Sequence, residues 1–182
     1  MGYFIRNHAL KPGKILSFHA EELACIVKKK AGKPHEFGRV FQLGRIGGNF
    51  LIAFTSTSVR MEDKPSLLPV LQEHRKIFGP HALNEVGTDK GYYSKENIEK
   101  VNTSSINSDG IQRPVNAKNQ VPPEILKALK DRRAGIEALI GHAKAFGLRK
   151  SRMKSDRATL ASGYRSVLGF NLSQLTRCLT PQ

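Results

Sequence analysis

The sequence predicts a single mixed α/β domain, and three observations point to this fold class. Residues 35–59 form two runs rich in aromatic and β-branched residues on either side of Gly47 and Gly48, which is typical of an antiparallel hairpin. Residues 64–79 carry apolar side chains at helical spacing and end at Gly79. Two further helical patterns close the sequence of 182 residues, a length that suits one well-packed domain.

The remaining elements follow in order along the chain. One or two short extended segments are expected within residues 14–30, ahead of the hairpin. After the helix over 64–79, a short strand is predicted to end at Asp89, and Ser94 is placed to cap the next helix. Residues 103–123 are rich in Ser, Asn, Gly and Pro, which predicts a loop or an insertion.

Two long helices are predicted in the last third of the chain. The first runs over residues 123–148 and the second over residues 156–178. The residues expected on the apolar side of the second helix are Leu160, Tyr164, Val167, Leu168, Leu172 and Leu175.

Several classes of protein do not fit this sequence. No run reaches the roughly 20 apolar residues of a membrane helix, and the first residues lack the features of a signal peptide. Cys25 and Cys178 form no metal motif, so we expect a cytoplasmic protein with reduced thiols. His19, His35 and His142 are isolated from one another, so no zinc spacing is present.

Charge is the strongest signal in the composition. The chain has 30 Lys and Arg against 15 Asp and Glu, a formal charge of +15 and an isoelectric point near 10.1. Such an excess in a folded domain points first to nucleic acid as a partner, although a run of charges also occurs on ordinary solvated helix faces. Residues 149–154, "RKSRMK", contain no acid. The cations expected to contact nucleic acid are Arg132, Arg133, Lys144, Arg149, Lys150, Arg152 and Lys154.

Asp89 is the first candidate for a chemical role. It stands where a strand gives way to a turn, and Lys90, Gly91 and two tyrosines follow it. Ligands and catalytic groups collect at the ends of strands in open α/β sheets. Asp is equally common in plain turns that contain Gly. On these residues alone, both interpretations stay open.

Glu137 is the second candidate, and it is the only acid among the apolar residues around it. Arg133 lies four positions earlier and Lys144 seven positions later, so the three share one helix face. A surface ion pair with Arg133 is one interpretation. The other is a metal site, because Mg²⁺ takes oxygen ligands from one or two carboxylates together with substrate phosphate.

Three blocks of the sequence resemble the catalytic domain of DDE transposases from bacterial insertion sequences, in the group numbered four and five. They are "LSFHAEELACIVKKKAGKPHEFG" at 16–38, "GTDKGYYS" at 87–94 and "RRAGIEALIGHAKAFGLRKSRMKS" at 132–155. The segment "GFNLSQL" at 169–175 is also similar to the closing helix of that family. The blocks come in the family's order, and the resemblance spans residues 14–178.

The resemblance implies a fold, a site and a reaction. The expected fold is RNase H-like, a mixed sheet with flanking helices, here missing its first strand. Asp89 would be the second catalytic Asp and Glu137 the catalytic Glu, and together with a first Asp they would hold two Mg²⁺ or Mn²⁺ ions. The implied reaction is hydrolysis at transposon ends, followed by attack of the freed 3′-hydroxyl on target DNA.

The resemblance also implies boundaries and partners. Residues 1–13 would be a leader remnant, residues 14–178 a partial catalytic domain with 103–123 as its loop or insertion, and residues 179–182 a tail. The expected partners are DNA at transposon ends and targets, an N-terminal half encoded upstream, and a second copy in a homodimer. The protein is expected in the bacterial cytoplasm, at the nucleoid when it is bound to DNA.

The first catalytic Asp of the family has no counterpart here. The family's Asp lies on a strand well before the block that contains His19, and no Asp precedes that residue in this chain. Asp63 is the sole Asp before Asp89, but its place at the approach to a helix argues against it as the missing ligand. The expectation is therefore a transposase fragment that is inactive alone. The alternatives are a non-enzymatic basic nucleic-acid-binding protein and a small metal-dependent nuclease that uses Glu36 or Asp63.

Overall fold

The chain forms a mixed α/β structure, which confirms the predicted class at that level. The computed structural model describes residues 24–27, 35–55, 62–114, 122–153 and 155–180, with side chains from residue 38 onwards. The strands in these ranges are β1 (Ala24–Val27), β2 (His35–Gly38), β3 (Gln42–Ile46), β4 (Phe50–Phe54), β5 (Glu85–Thr88) and β6 (Asn107–Ile111). The α-helices are α1 (Asp63–Phe78), α2 (Lys95–Thr103), α3 (Pro123–Ala143) and α4 (Asp156–Leu179).

The six strands associate in three pairs. β1 with β2 and β3 with β4 are antiparallel, whereas β5 and β6 are parallel. Within the described ranges, no hydrogen-bonded ladder joins one pair to another. The single mixed sheet that the resemblance implies is therefore not formed by these strands, and β3 and β5 each keep an edge that no described strand covers.

The predicted hairpin is present, but its first strand begins at Gln42 and not at residue 35. β3 and β4 are joined by a 3-10 turn over Gly47–Asn49, in which Gly48 has a φ of 69°, a value that a residue without Cβ adopts at little cost. The run from residue 35 to 46 was expected to be one strand. It divides after Gly38, because β2 pairs with β1 while β3 pairs with β4.

The segment 103–123, predicted as a loop or insertion, contains strand β6. The sequence of β6 is "NSDGI", which has little β propensity of its own. Its pairing with β5 and the burial of Ser108 and Ile111 make it a strand. Residues 115–121 of the same segment lie outside the described ranges.

Two apolar clusters hold the elements in place. One joins the β3–β4 hairpin to the last turns of α3 and to α4, and its buried members are Leu51, Leu139, Ala143, Val167 and Phe170. The other joins α1 and α2 to β5 and β6, and its buried members are Leu67, Leu71, Val101, Ile106 and Ile111. Of the apolar residues at helical spacing in α1, Leu67 and Leu71 are therefore buried and Leu68 is partly buried, whereas Ile77 is 62% exposed.

The two C-terminal helices largely follow their predicted ranges. The helix expected over 123–148 is α-helical to Ala143 and continues as a π-helical turn over Lys144–Leu148, where Gly147 has a φ of 105°. The apolar side predicted for α4 is divided between two surfaces. Val167 faces the core, whereas Leu168 and Leu172 are 57% and 54% exposed.

In the described part of the chain, no helix combines the length and the apolar content that crossing a membrane requires. Cys178 is a free, exposed thiol near the end of α4.

Candidate active site

Asp89 follows β5 directly, as the sequence predicts. It caps a short 3-10 turn over Lys90–Tyr92, and its Oδ1 accepts a hydrogen bond of 2.8 Å from the backbone N–H of Gly91. The preceding carbonyl, on Thr88, accepts a hydrogen bond from the N–H of Gln112 after β6. Asp89 therefore lies at the carboxyl end of a parallel strand pair, where α/β proteins place their ligands.

A second carboxylate lies beside Asp89. The position that a Cβ atom on Gly91 would take is 2.6 Å from Oδ2 of Asp63 and 3.0 Å from Oδ1 of Asp89. Both carboxylates thus border the space left by this glycine, and a larger residue there would force one of them to move. The sequence argued against Asp63 as a ligand because it lies at the approach to a helix. In the structure it is the first residue of α1, and that position brings its carboxylate beside Asp89.

Gln42, at the start of β3, connects the two acids to Tyr92. The Tyr92 hydroxyl donates to Oε1 of Gln42, whose Nε2 donates to Oδ1 of Asp63 at 3.3 Å. Burial raises the pKa of Tyr92 well above its ordinary value, and the negative charges of Asp63 and Asp89 raise it further. The hydroxyl therefore stays protonated and acts as a hydrogen-bond donor.

The backbone around the two acids is held by α2. Asn97 is buried, and its Nδ2 donates to the carbonyl of Lys64 at 2.9 Å and to that of Tyr92 at 2.8 Å. Its backbone N–H donates to the Ser94 side chain, which confirms the predicted N-cap. One amide side chain thus ties the first turn of α1, which begins at Asp63, to the turn that follows Asp89.

Glu137 lies on α3 with its side chain exposed. The ion pair with Arg133 is not formed, because Nη1 of Arg133 donates instead to Oε1 of Gln112 at 2.9 Å. Among the described residues, no hydrogen bond or ion pair involves the Glu137 side chain. Asp63, Asp89 and Glu137 also do not form a group of three ligands that could hold one metal ion.

A basic cavity of about 220 Å³ opens at the carboxyl ends of β5 and β6. Thr88 and Gln112 line it from the carboxyl ends of β5 and β6, and Lys130 and Arg133 line it from α3. Arg113 and Asp109 add one cation and one acid to its wall. Three cations against one carboxylate give this cavity a positive potential at the end of the strand that carries Asp89.

The cations predicted to contact nucleic acid are not all in one place. Arg133 lines the basic cavity, whereas Arg132 is directed to Glu85, at the opposite end of β5, and pairs with it. The remaining described members are exposed at the end of α3 and in the segment before α4: Lys144, Arg149, Lys150 and Arg152. Lys154 lies outside the described residues, as does His19.

Comparisons with family models, curated proteins and solved structures give no match to this chain.

Sequence reasoning missed two contributors to the site, Gln42 and Lys130, and named a third, Asp63, only for an alternative function. Gln42 and Lys130 carry no motif of their own, and their roles depend on contacts across the fold. Lys130 had one usable signal, because it precedes Arg133 by three positions and so lies on the same face of the helix. The signal that could have pointed to Asp63 as a site residue is that it is the sole Asp before Asp89.

Proposed function

We propose that the chain is part of the catalytic domain of a DDE-type transposase, a metal-dependent enzyme that cuts and joins DNA strands. The observation that carries the proposal is the pair Asp63 and Asp89, whose carboxylates border Gly91 at the carboxyl end of β5. Asp89 and Gly91 belong to the block "GTDKGYYS", which resembles the family's second catalytic Asp. The geometry and the sequence block thus support the same residue.

The residues present suit Mg²⁺ or Mn²⁺. Such ions take oxygen ligands, and they are commonly held by one or two carboxylates while substrate phosphate completes their coordination. When bound, they activate the attacking oxygen and stabilise the leaving oxygen of a phosphodiester. Asp63 and Asp89 supply the carboxylates, and the hydrogen bonds from Gln42 and Gly91 orient one oxygen of each.

DNA is the proposed substrate. The cavity lined by Thr88, the residue before Asp89, presents Lys130, Arg133 and Arg113, and we propose that these cations hold a phosphate of the DNA backbone. The exposed cations from Lys144 to Arg152 extend the positive surface along the end of α3. Their task is to position the DNA backbone, which carries no sequence information.

Glu137 keeps its proposed role as a catalytic carboxylate. It follows Arg133 by one helical turn, so it lies on the face of α3 that carries two residues of the basic cavity. Because Asp63, Asp89 and Glu137 do not form a three-ligand group, a complete site needs a further rearrangement or a further carboxylate. We propose that a separately encoded N-terminal half supplies that carboxylate, and that the chain alone is inactive.

Manganese binding tests the proposal directly. Titration of the full chain with Mn²⁺, followed by electron paramagnetic resonance, is expected to reveal a site that Mg²⁺ displaces. Asp89→Asn and Asp63→Asn are each expected to weaken it roughly tenfold or more, because each removes a charged ligand. Asp131→Asn is the matched control, since Asp131 is an exposed Asp on α3. Equal affinity in all four proteins would overturn the proposed site.

The Mn²⁺ titration also distinguishes the proposed transposase function from the alternative, a non-enzymatic DNA-binding protein. That rival predicts no Mn²⁺ site and DNA binding that falls steeply with salt. It also predicts that Glu137→Ala leaves DNA binding unchanged.

A further inference from the structure

We infer that the basic cavity at the carboxyl ends of β5 and β6 binds the terminal 5′-phosphate of a cut DNA strand more strongly than a phosphate inside a strand. This inference deepens the proposed function and rests on it for the DNA substrate. It adds the chemical form of the phosphate, a monoester with one oxygen more than an internal phosphate has free to bind. The lining of the cavity includes neither Asp63 nor Asp89, so the recognition is separate from the carboxylates.

The charge of the cavity favours an anion with two negative charges. Lys130, Arg133 and Arg113 line it. Asp109 is the one acid in its wall, so two positive charges are uncompensated. Among the described residues, no ion pair joins Asp109 to Lys130 or Arg133. A phosphate inside a strand carries one negative charge, whereas a terminal phosphate carries about 1.5 to 2 at pH 7. The terminal group therefore matches the cavity better.

Hydrogen bonds hold one of these cations in place before a ligand binds. Nη1 of Arg133 donates to Oε1 of Gln112 at 2.9 Å, and the backbone N–H of Gln112 donates to the carbonyl of Thr88 at 3.2 Å. The guanidinium of Arg133 is thereby fastened to the ends of both strands. In the described part of the chain its other N–H groups form no hydrogen bond, which leaves a pair of donors for two phosphate oxygens.

The size and the walls of the cavity limit what it can hold. Its volume of about 220 Å³ lies below the roughly 300–1,000 Å³ of pockets that enclose drug-sized ligands. It therefore suits a small charged group and not a whole nucleotide. Pro114, Leu126 and Leu129 add apolar walls, which have a low dielectric constant and strengthen the field of the cations at the group between them.

The proposed reaction supplies a phosphate of this kind. When water attacks a phosphodiester at a transposon end, its oxygen bonds to phosphorus, the bond from phosphorus to the 3′ oxygen breaks, and that oxygen takes up a proton. One fragment then ends in a 3′-hydroxyl and the other in a 5′-phosphate. Thr88 lines the cavity and directly precedes Asp89, so the two sites belong to one end of β5.

Three duplexes of one sequence test the inference on the full chain, with a chelator present so that no metal is bound and no strand is cut. They differ at a single 5′ end, which carries a hydroxyl, a phosphate or a methyl phosphate. The methyl phosphate keeps the phosphorus but has only one negative charge. Fluorescence anisotropy at one salt concentration is expected to show at least about fivefold tighter binding of the 5′-phosphate duplex than of the other two. Equal affinity for the phosphate and the methyl phosphate would overturn the inference.

Three variants assign the preference to the cavity. Lys130→Ala should reduce the preference for the 5′-phosphate to less than about twofold, because it removes one of the cations. Lys127→Ala is the matched control, since Lys127 is exposed on the same helix and does not line the cavity, and it should keep the full preference. Asp109→Asn should increase the preference about twofold, because the repulsion by its carboxylate is lost. A smaller preference in Asp109→Asn, or an unchanged one in Lys130→Ala, would contradict binding in this cavity.

Inorganic phosphate distinguishes a DNA end from free phosphate, which has the same chemistry. It is expected to remove the preference only in about a hundredfold or larger excess over the duplex, because the DNA makes further phosphate contacts. Removal of the preference at equal concentrations would identify a site for free phosphate and overturn the inference. Mn²⁺ binding reports separately on Asp63 and Asp89. Loss of the end preference while the Mn²⁺ site is present therefore overturns this inference and leaves the proposed function standing.

Discussion

The side-chain amide of Asn171 makes two hydrogen bonds to the backbone of Leu51. Its Oδ1 accepts from the Leu51 N–H at 2.9 Å, and its Nδ2 donates to the Leu51 carbonyl at 2.7 Å. An amide group is the same pair of donor and acceptor that a neighbouring strand would present. Helix α4 thus completes the hydrogen bonding of β4 across 120 positions of sequence and links it to the cluster that contains Phe170.

Replacing this amide is expected to destabilise the fold. Asn171→Ala leaves two polar groups of a strand residue without partners, and Leu51 is 1% exposed. We expect the free energy of unfolding in urea to fall by about 2 kcal/mol. Gln174→Ala, on the same helix, is the control, because no hydrogen bond of its side chain forms among the described residues. Equal losses in the two variants would contradict the role given to Asn171.

Two helical glycines are expected to respond to alanine in opposite directions. At Gly163 the ring of Phe41 occupies the space that a Cβ would need, so Gly163→Ala should lower stability by about 1–3 kcal/mol. At Gly141 nothing lies within 4 Å of that position, so Gly141→Ala should raise stability by about 0.5–1 kcal/mol. Thermal unfolding of both variants measures the difference, and shifts of the same sign would contradict the packing of α4 on Phe41.

DNA binding is expected to distinguish two lysines on α3. Lys130 lines the basic cavity beside Thr88, whereas Lys127, also exposed, does not. Lys130→Ala should weaken binding to duplex DNA several-fold. It should also make the slope of log K against log salt concentration shallower by about 0.9, the value for one phosphate contact. Lys127→Ala should change neither quantity. Fluorescence anisotropy at several salt concentrations provides both, and identical behaviour of the two variants would place the phosphate elsewhere.

Tyr92 is expected to make stability depend on alkaline pH. Its pKa in the folded state lies above the ordinary value of 10.0, first because of burial and then because of Asp63 and Asp89. The folded protein therefore holds this proton more tightly than the unfolded chain. The resulting stability is fully present below pH 10.0 and is lost as the pH rises through the folded pKa.

Comparison with Tyr92→Phe isolates that effect. The variant lacks the hydrogen bond to Gln42, so at neutral pH it should be less stable by about 1 kcal/mol. Above pH 10.0 the difference from the unchanged protein should shrink, because Phe does not titrate. Urea unfolding at a series of pH values measures it. A difference that stays constant with pH would contradict the position given to Tyr92.

Local signals explain how much of the fold was predictable. Gly47 and Gly48 predicted the hairpin turn, and Ser94 predicted the start of α2, because turn and cap preferences act over a few residues. β6 was not predictable in this way. Its sequence favours a loop, and it becomes a strand through pairing with β5, about 20 positions away.

The same distinction between local signals and contacts of distant residues applies to the candidate site. The sequence identified Asp89 and its place after a strand, because the strand, the turn and the acid are neighbours in the chain. It offered Asp63 only as a ligand of an alternative nuclease, since the contact with the turn after β5 requires α1 to pack against that turn. It also offered Glu137 as the partner of Arg133, whereas folding brings Gln112 to that arginine.

By itself the sequence determined the fold class, most element boundaries, the positive charge and one acid of the site. Tertiary structure decided which acids meet, which cations surround them, and which strand edges are covered. The physical reason is the distance along the sequence between the residues that interact. Turns, caps and helical periodicity depend on residues a few positions apart, whereas the contacts of Asp63 with Gly91 and of Asn171 with Leu51 form only when distant elements pack together.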